Sequence, residues 1–164
     1  MTPFQVGVAA EAFATGVLAQ AGCDVLVQYG ANQPGYDLVA DKDNRLLRVS
    51  VKGSQNGAWG LVQGHKKEGL SYHEAIDSWL RSQKEGVLFC FVQFEGVALG
   101  GCPKIYLASS NEVAELMKSC RRGAGDTVVY EDHKYVRGAL TGTRDRIPED
   151  WKLTVERIDR YLKP

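Results

Sequence analysis

The sequence lacks a long apolar segment and an excess of charge of either sign. No apolar run approaches the length of about 18 residues that a transmembrane helix requires, so no membrane span is expected. The 20 basic residues match the 20 acidic ones and the net charge is zero, which argues against a protein that coats nucleic acid by bulk electrostatics. A local basic face stays open, because positions 118–146 hold seven basic residues against four acidic ones. The alternative is a solvated surface of mixed charge.

Cysteine and histidine patterns of the common metal sites are also missing. The four cysteines are scattered, with neither CxxC pairs nor zinc-type spacing, and the three histidines lie far apart. Cys90 stands between Phe89 and Phe91, which predicts a core position. Met1–Val8 has no positive charge, so we expect no signal peptide and a reducing, cytoplasmic location.

Several nucleotide and hydrolase motifs are absent. The sequence contains no Walker-type phosphate loop, no GxGxxG after a predicted strand and no GxSxG elbow. These absences argue against the common NTPase, dinucleotide-binding and serine-hydrolase classes.

The apolar periodicity predicts an α/β fold with the order αβββαβ. The first part has a helix over Phe4–Ala21 that ends at Gly22, strands over Cys23–Tyr29, Tyr36–Asp41 and Leu46–Lys52, a helix over Tyr72–Lys84 and a strand over Val87–Val97. Further elements are a strand over Lys104–Ala108, a helix over Asn111–Arg122, a strand over Thr127–Glu131 and a closing helix with Trp151, Val155, Ile158 and Leu162 on one face. Ser71 and Glu74 form a capping-box pattern before the second helix. We expect one domain over residues 1–164, with a core at about 4–108 and a helical and strand extension at 109–164.

The second and third predicted strands place an acid and a lysine close together. Asp37 lies at the mouth of the second strand, and Lys52 closes the third. Side chains alternate along a strand, so Arg48, Ser50 and Lys52 share one face. An aspartate beside a lysine suits metal-assisted phosphodiester chemistry, but Ser50 occupies the position where such a site wants a second carboxylate.

Glu11 is the only charged residue of the first helix. Gly7, Glu11 and Thr15 lie four residues apart and form a small polar line on an otherwise apolar helix. Glu11 is therefore a candidate site residue. The alternative is that its side chain simply points to water.

The segment from Gly53 to Gly69 predicts a long loop. It contains five glycines, Trp59 and the run His65-Lys66-Lys67. Basic and aromatic side chains on a loop suit phosphate contact and base stacking. The alternative is an excursion with Trp59 packed into the core.

These residues resemble the PD-(D/E)XK nuclease superfamily, which includes type II restriction enzymes, archaeal Holliday-junction resolvases and intron-encoded homing endonucleases. The matching parts are the helix with Gly7 and Glu11, the half-motif Pro34-Gly35-Tyr36-Asp37, the half-motif Ser50-Val51-Lys52, and the strands at 87–92 and 104–107. The likeness runs over residues 4–108 and is closest to the resolvase and homing-enzyme branches. It implies a restriction-endonuclease-like core with a mixed central sheet flanked by helices.

The resemblance also implies a DNA endonuclease that uses Mg²⁺ or Mn²⁺. Asp37 would bind the ion, Val51 could lend its main-chain carbonyl, and Glu11 could act as an outer ligand. Lys52 would position or deprotonate the attacking water and stabilise charge on the phosphate. Ser50 would line the same pocket.

Ser50 departs from the superfamily pattern, and three explanations compete. The site works with fewer carboxylates, another acid replaces the missing one, or catalysis has been lost. Glu11 is the best replacement, and Asp41 and Asp43 are weaker ones. With catalysis lost, the domain would be a non-cleaving nucleic-acid-binding or interaction module. A further alternative is an unrelated α/β protein in which Lys52 only snorkels.

The expected DNA contacts come from three places in the sequence. These are Gln55 beside the pocket, His65, Lys66 and Lys67 in the glycine-rich loop, and Arg121 and Arg122 after the third helix. Cleavage of both strands favours a homodimer. No membrane partner is expected.

Overall fold

The computed structural model describes residues 1–28 and 35–162, which form two compact units. The first unit contains residues 1–56, 84–109 and 149–164, and the second contains residues 57–83 and 110–148. Tyr29 and the predicted turn through Pro34 lie outside the described residues. The interpretation of residues 1–164 as a single nuclease-like domain stays a prediction.

The order of elements agrees with the αβββαβ pattern. The helices are α1 (Pro3–Gln20), α2 (Tyr72–Ser82), α3 (Ser110–Ser119) and α4 (Val155–Leu162). The strands are β1 (Asp24–Val27), β2 (Leu38–Lys42), β3 (Arg45–Ser54), β4 (Ala58–Gly60), β5 (Val87–Gln93), β6 (Lys104–Ser109), β7 (Val128–Tyr130), β8 (Asp132–Lys134) and β9 (Arg144–Arg146). The α/β fold class is confirmed.

A five-stranded mixed sheet of order β1-β2-β3-β5-β6 forms the centre of the first unit. Its pairs are antiparallel except for β3 and β5, which run parallel. Asp43 and Asn44 turn the β2–β3 hairpin with φ of 55° and 60°, the left-handed conformations that a two-residue hairpin turn requires. β5 is buried along its whole length, as expected for a strand between two neighbours. This sheet agrees with a restriction-endonuclease-like fold.

Helix α1 packs on this sheet through a narrow stripe of small residues. Thr2 caps it with a capping box to Gln5. Its buried side chains recur every four residues, and two are alanines that permit a close approach. These are Val6, Ala10, Ala14 and Leu18. They join a core that includes Cys90, whose predicted burial is confirmed and raises the pKa of its thiol to about 12.

The second unit contains α2, α3 and two short strand pairs, β4 with β7 and β8 with β9. The predicted capping box of Ser71 and Glu74 is confirmed. The predicted loop at 53–69 is wrong as drawn, because β3 continues to Ser54 and β4 follows. Trp59 on β4 is only 3% exposed, so it has no open face on which a base could stack.

Two further expectations about the C-terminal part are wrong. The strands β8 and β9 went unpredicted, because three-residue strands rich in charge carry no alternating apolar signal. Trp151 lies in a short 3₁₀ turn rather than in the closing helix, which begins at Val155. Ile158 and Leu162 do form the buried face of α4.

None of the described helices combines the length and the apolar character needed to cross a bilayer.

Candidate active site

Asp37 is fixed at the entrance to β2 by its main chain and its side chain. Its N–H donates to the Val49 carbonyl at 2.8 Å, and its carbonyl accepts from the Gln28 N–H at 3.0 Å. Its Oδ2 accepts from the Val51 N–H at 2.6 Å. A carboxylate that accepts from a main-chain N–H in a β-sheet has little rotational freedom. The acid is therefore held in one orientation without a metal.

Val51 shows why the strands create this arrangement. β2 begins at Leu38, which pairs with Val49, so the Asp37 carboxylate takes the place of a strand partner at Val51. In a strand the N–H and C=O of one residue point to the same side. The Val51 carbonyl therefore faces the edge of β3 along which Asp37 lies, as a main-chain ligand would have to.

Ser50 is buried, with 5% of its surface exposed, and its hydroxyl points at the same acid. Its Oγ lies 3.3 Å from Asp37 Oδ2, longer than an ordinary O–H···O hydrogen bond. The position expected to supply a second carboxylate therefore supplies a weak hydrogen-bond donor. This contact adds no negative charge to the site.

Gly53 lets α1 come close enough for Glu11 to share the site. A Cβ at this position would lie 2.7 Å from Val6 Cγ1 and 2.9 Å from the Val6 carbonyl oxygen, closer than any side chain tolerates. Our sequence reasoning missed Gly53 as a functional residue. A glycine inside a strand, directly after the candidate lysine, is the signal that could have found it.

Glu11 shares an electrostatic environment with Asp37 and Lys52. Partial burial raises the pKa of Glu11, the charge of Asp37 raises it further, and Lys52 acts in the opposite direction. These effects need short separations, so the structure brings together the three charged residues that the sequence singled out. With Glu11 ionised they sum to one negative charge.

The donor set fits a small divalent cation. Mg²⁺ takes oxygen ligands and often uses one or two carboxylates while retaining several waters. Glu11 and Asp37 supply two carboxylates, and Asp37 retains acceptor capacity beyond its hydrogen bond to Val51. Over residues 1–28 and 35–162 no group of three His, Cys, Asp or Glu side chains gathers for a metal. An ion here would therefore depend on water and substrate for the rest of its coordination.

Asp41 and Asp43 cannot replace the missing acid. Asp41 lies four residues along the strand from Asp37, and Asp43 lies beyond it in the hairpin turn. At about 3.3 Å per residue, these distances are roughly 13 Å and 20 Å. Glu11 is the candidate that the fold brings within range.

The residues expected to contact DNA are dispersed. Gln55 follows β3, and its Nε2 donates to the Met1 carbonyl at 2.8 Å. His65 Nδ1 lies 3.1 Å from Ser78 Oγ within the second unit. Lys67, in the same unit, is exposed.

The two arginines after α3 have different surroundings. Arg122 donates to Thr143 Oγ1 at 2.7 Å and to two main-chain carbonyls of the same loop, so its guanidinium braces the protein. Arg121 lies over the ring of Tyr72, as does Lys66.

Part of the basic excess at 118–146 is neutralised within the second unit. Lys118 Nζ lies 2.5 Å from Asp77 Oδ1, and Arg144 forms an ion pair with Asp132. Neither arrangement follows from a count of charges along the sequence.

Two carboxylates and a lysine at adjoining strand ends of a mixed α/β sheet define the class of a restriction-endonuclease-like site. The comparisons with known proteins agree with this class. Residues 1–68 match the family described as PD-(D/E)XK endonuclease. This segment, which contains Glu11, Asp37 and Lys52, belongs to that family, and the resemblance drawn from the sequence is confirmed.

Other comparisons add a structural neighbour but no curated relative. No curated protein matches the chain significantly. Among solved structures, a bacterial homing endonuclease, I-Ssp6803I, is similar with a TM-score of 0.47 and 15% identity, over 88% of this chain and 89% of that chain.

Proposed function

We propose that this protein is a divalent-metal-dependent endonuclease that hydrolyses DNA phosphodiester bonds. The observation that supports it is the convergence of Glu11, Asp37 and Lys52, whose charges influence one another, in a segment of the PD-(D/E)XK endonuclease family. Double-strand cleavage would use two copies of the chain, one for each strand.

Glu11 and Asp37 would hold Mg²⁺ or Mn²⁺, and the Val51 carbonyl faces the same edge. When bound, the ion supplies Lewis-acid activation of a water and neutralises developing phosphate charge. The hydrogen bond from the Val51 N–H holds the Asp37 carboxylate in place before any ligand arrives. Orientation set in advance removes a reorganisation cost from the reaction.

Lys52 would act on the reacting phosphate. The water oxygen forms a bond to phosphorus, one P–O ester bond breaks, and a proton from the water ends on the departing oxygen. The ammonium group stabilises negative charge on the non-bridging oxygens as the bond forms. It also keeps part of Glu11 ionised, because its charge opposes the upward shift of that carboxyl's pKa.

Nicking of supercoiled plasmid in Mn²⁺ or Mg²⁺ tests this function. We expect Lys52→Ala to lower the nicking rate by about 10²–10³-fold, the usual effect of losing one electrostatic group from such a site. Lys104→Ala is the matched control, since Lys104 is an exposed lysine on β6 of the same sheet. Equal rates for wild type and Lys52→Ala would contradict the assignment.

A non-cleaving nucleic-acid-binding module is the second candidate. The buried Ser50 hydroxyl favours it, since a donor occupies the position of the second acid. Retained DNA binding with no metal-dependent nicking would identify this module.

A further inference from the structure

The ring of Tyr72, at the start of α2, is contacted by two cations from different parts of the second unit. The Arg121 guanidinium carbon lies 4.9 Å from the ring centre and Lys66 Nζ lies 5.3 Å from it. The two charges can be no further apart than the sum of these distances. We propose that Lys66, Tyr72 and Arg121 form a binding platform for the phosphate backbone of duplex DNA, a proposal that rests on the proposed function.

Cations held on an aromatic face stay available to an anion. A ring attracts a cation without neutralising its charge. A guanidinium stacked on a ring keeps its N–H edge directed outward, in the planar geometry that suits a phosphate. Tyr72 also hydrogen-bonds to Arg121, which fixes the plane of that guanidinium further.

The main chain that presents Arg121 is prearranged. Arg121 and Arg122 have φ of 54° and 58°, in the left-handed region that non-glycine residues rarely adopt and that is enriched at functional sites. Asp145, only 8% exposed, accepts from the Arg121 N–H at 2.9 Å. His73 Nε2 donates to the Gly123 carbonyl at 2.8 Å and joins the same turn to α2.

Close packing fixes Tyr72 as well. Gly125 has φ of 86°, and a Cβ there would lie 2.9 Å from Tyr72 Cβ. The chain after the arginine turn therefore packs directly on the base of the tyrosine. The ring and the guanidinium are positioned by one connected set of contacts.

The neighbouring acids leave these two cations in a different situation from the other basic side chains of the unit. Lys118 and Arg144 form close ion pairs with carboxylates. Glu74 influences Lys66, but its Oε2 already accepts from the Ser71 N–H and Oγ at 2.7 Å each. Asp126 acts on Arg121 at longer range, through charge rather than a hydrogen bond. The platform therefore presents positive charge to a ligand.

The salt dependence of DNA binding tests the platform. A fluorescein-labelled DNA duplex is titrated with wild type, Lys66→Ala and Arg121→Ala in EDTA, over a series of KCl concentrations, with anisotropy as the signal. Each variant should reduce the slope of log K against log salt by about 1, because each removes one phosphate contact. Arg121→Lys keeps the charge and should restore the slope, which separates charge from folding. Arg137→Ala, an exposed arginine of the same unit, should leave the slope unchanged.

The outcomes are distinct from those of the nicking assay. Unchanged slopes for both alanine variants, or an equal loss in Arg137→Ala, would overturn the platform even if the protein nicks plasmid. A reduced slope in a protein that never nicks plasmid would support the platform and reject the hydrolysis. Loss of slope with an RNA duplex but not with DNA would also overturn the proposal.

Discussion

Replacing Gly53 with alanine tests how α1 brings Glu11 to the site. The added methyl would lie 2.7 Å from Val6 Cγ1 and 2.9 Å from the Val6 carbonyl oxygen, whereas ordinary contacts begin at 3.4 Å. The valine methyl can rotate away, but the carbonyl oxygen belongs to the helix backbone. The helix must therefore retreat from β3 by about 0.5 Å or more, because packed interiors have few voids to absorb the difference.

Both stability and activity should respond to this displacement. Overpacking of this kind costs about 1–3 kcal/mol of unfolding free energy, which corresponds to roughly 2–4 °C in melting temperature per kcal/mol for a chain of this size. Activity should fall further than stability, since a misplacement near 1 Å can cost about 10²-fold in rate. Urea unfolding and plasmid nicking measure the two effects separately.

Gly7→Ala is the control on the same helix. A Cβ at Gly7 meets nothing within 4 Å, so the alanine should stabilise the protein by about 0.5–1 kcal/mol through its helix propensity. Adding Val6→Ala to Gly53→Ala should recover part of the lost stability, because one of the two close contacts disappears. A Gly53→Ala protein as stable and as active as wild type would refute the role assigned to the glycine.

Three further predictions concern the charged site. Glu11→Gln should raise the melting temperature of the metal-free protein at neutral pH and approach wild type in acid, because the raised pKa of Glu11 means that its contribution to stability is lost as pH rises through that pKa. The nicking rate of wild type should fall with acidity at a pH above the ordinary glutamate range, since the ion needs ionised Glu11; a limb at an ordinary carboxylate pH would contradict this. Ser50→Glu should destabilise the metal-free protein, because a second buried negative charge then faces Asp37, and should strengthen Mn²⁺ binding by calorimetry, whereas an unchanged titration would argue against a degenerate metal site.

Local chemistry made part of this structure predictable. Glu11, Asp37 and Lys52 could be selected from the sequence because each is a charge set in an apolar element, and the hairpin between β2 and β3 then fixes which strand ends meet. The capping box of Ser71 and Glu74 was predictable for the same local reason. Each of these features depends on residues close together in the chain.

Other features depend on contacts between distant segments. The close approach of α1 to Gly53 depends on the pairing of a helix and a strand more than 40 positions apart, and the burial of Trp59 depends on the pairing of β4 with β7. Arg122 reads as a solvent-exposed DNA contact in the sequence, yet its guanidinium donates to a loop about 20 residues further on. No periodicity encodes such partners, so the structure was needed to find them.

The rate of plasmid nicking as a function of Mn²⁺ concentration, compared between wild type and Asp37→Asn, tests the central claim most directly. The amide keeps an oxygen that can accept from the Val51 N–H, so the fold is retained while the metal-binding charge is lost. We predict a saturable, Mn²⁺-dependent rate for wild type and no rate above that of the protein-free control for Asp37→Asn. Equal rates for the two proteins, or a wild-type rate that persists in EDTA, would contradict the claim.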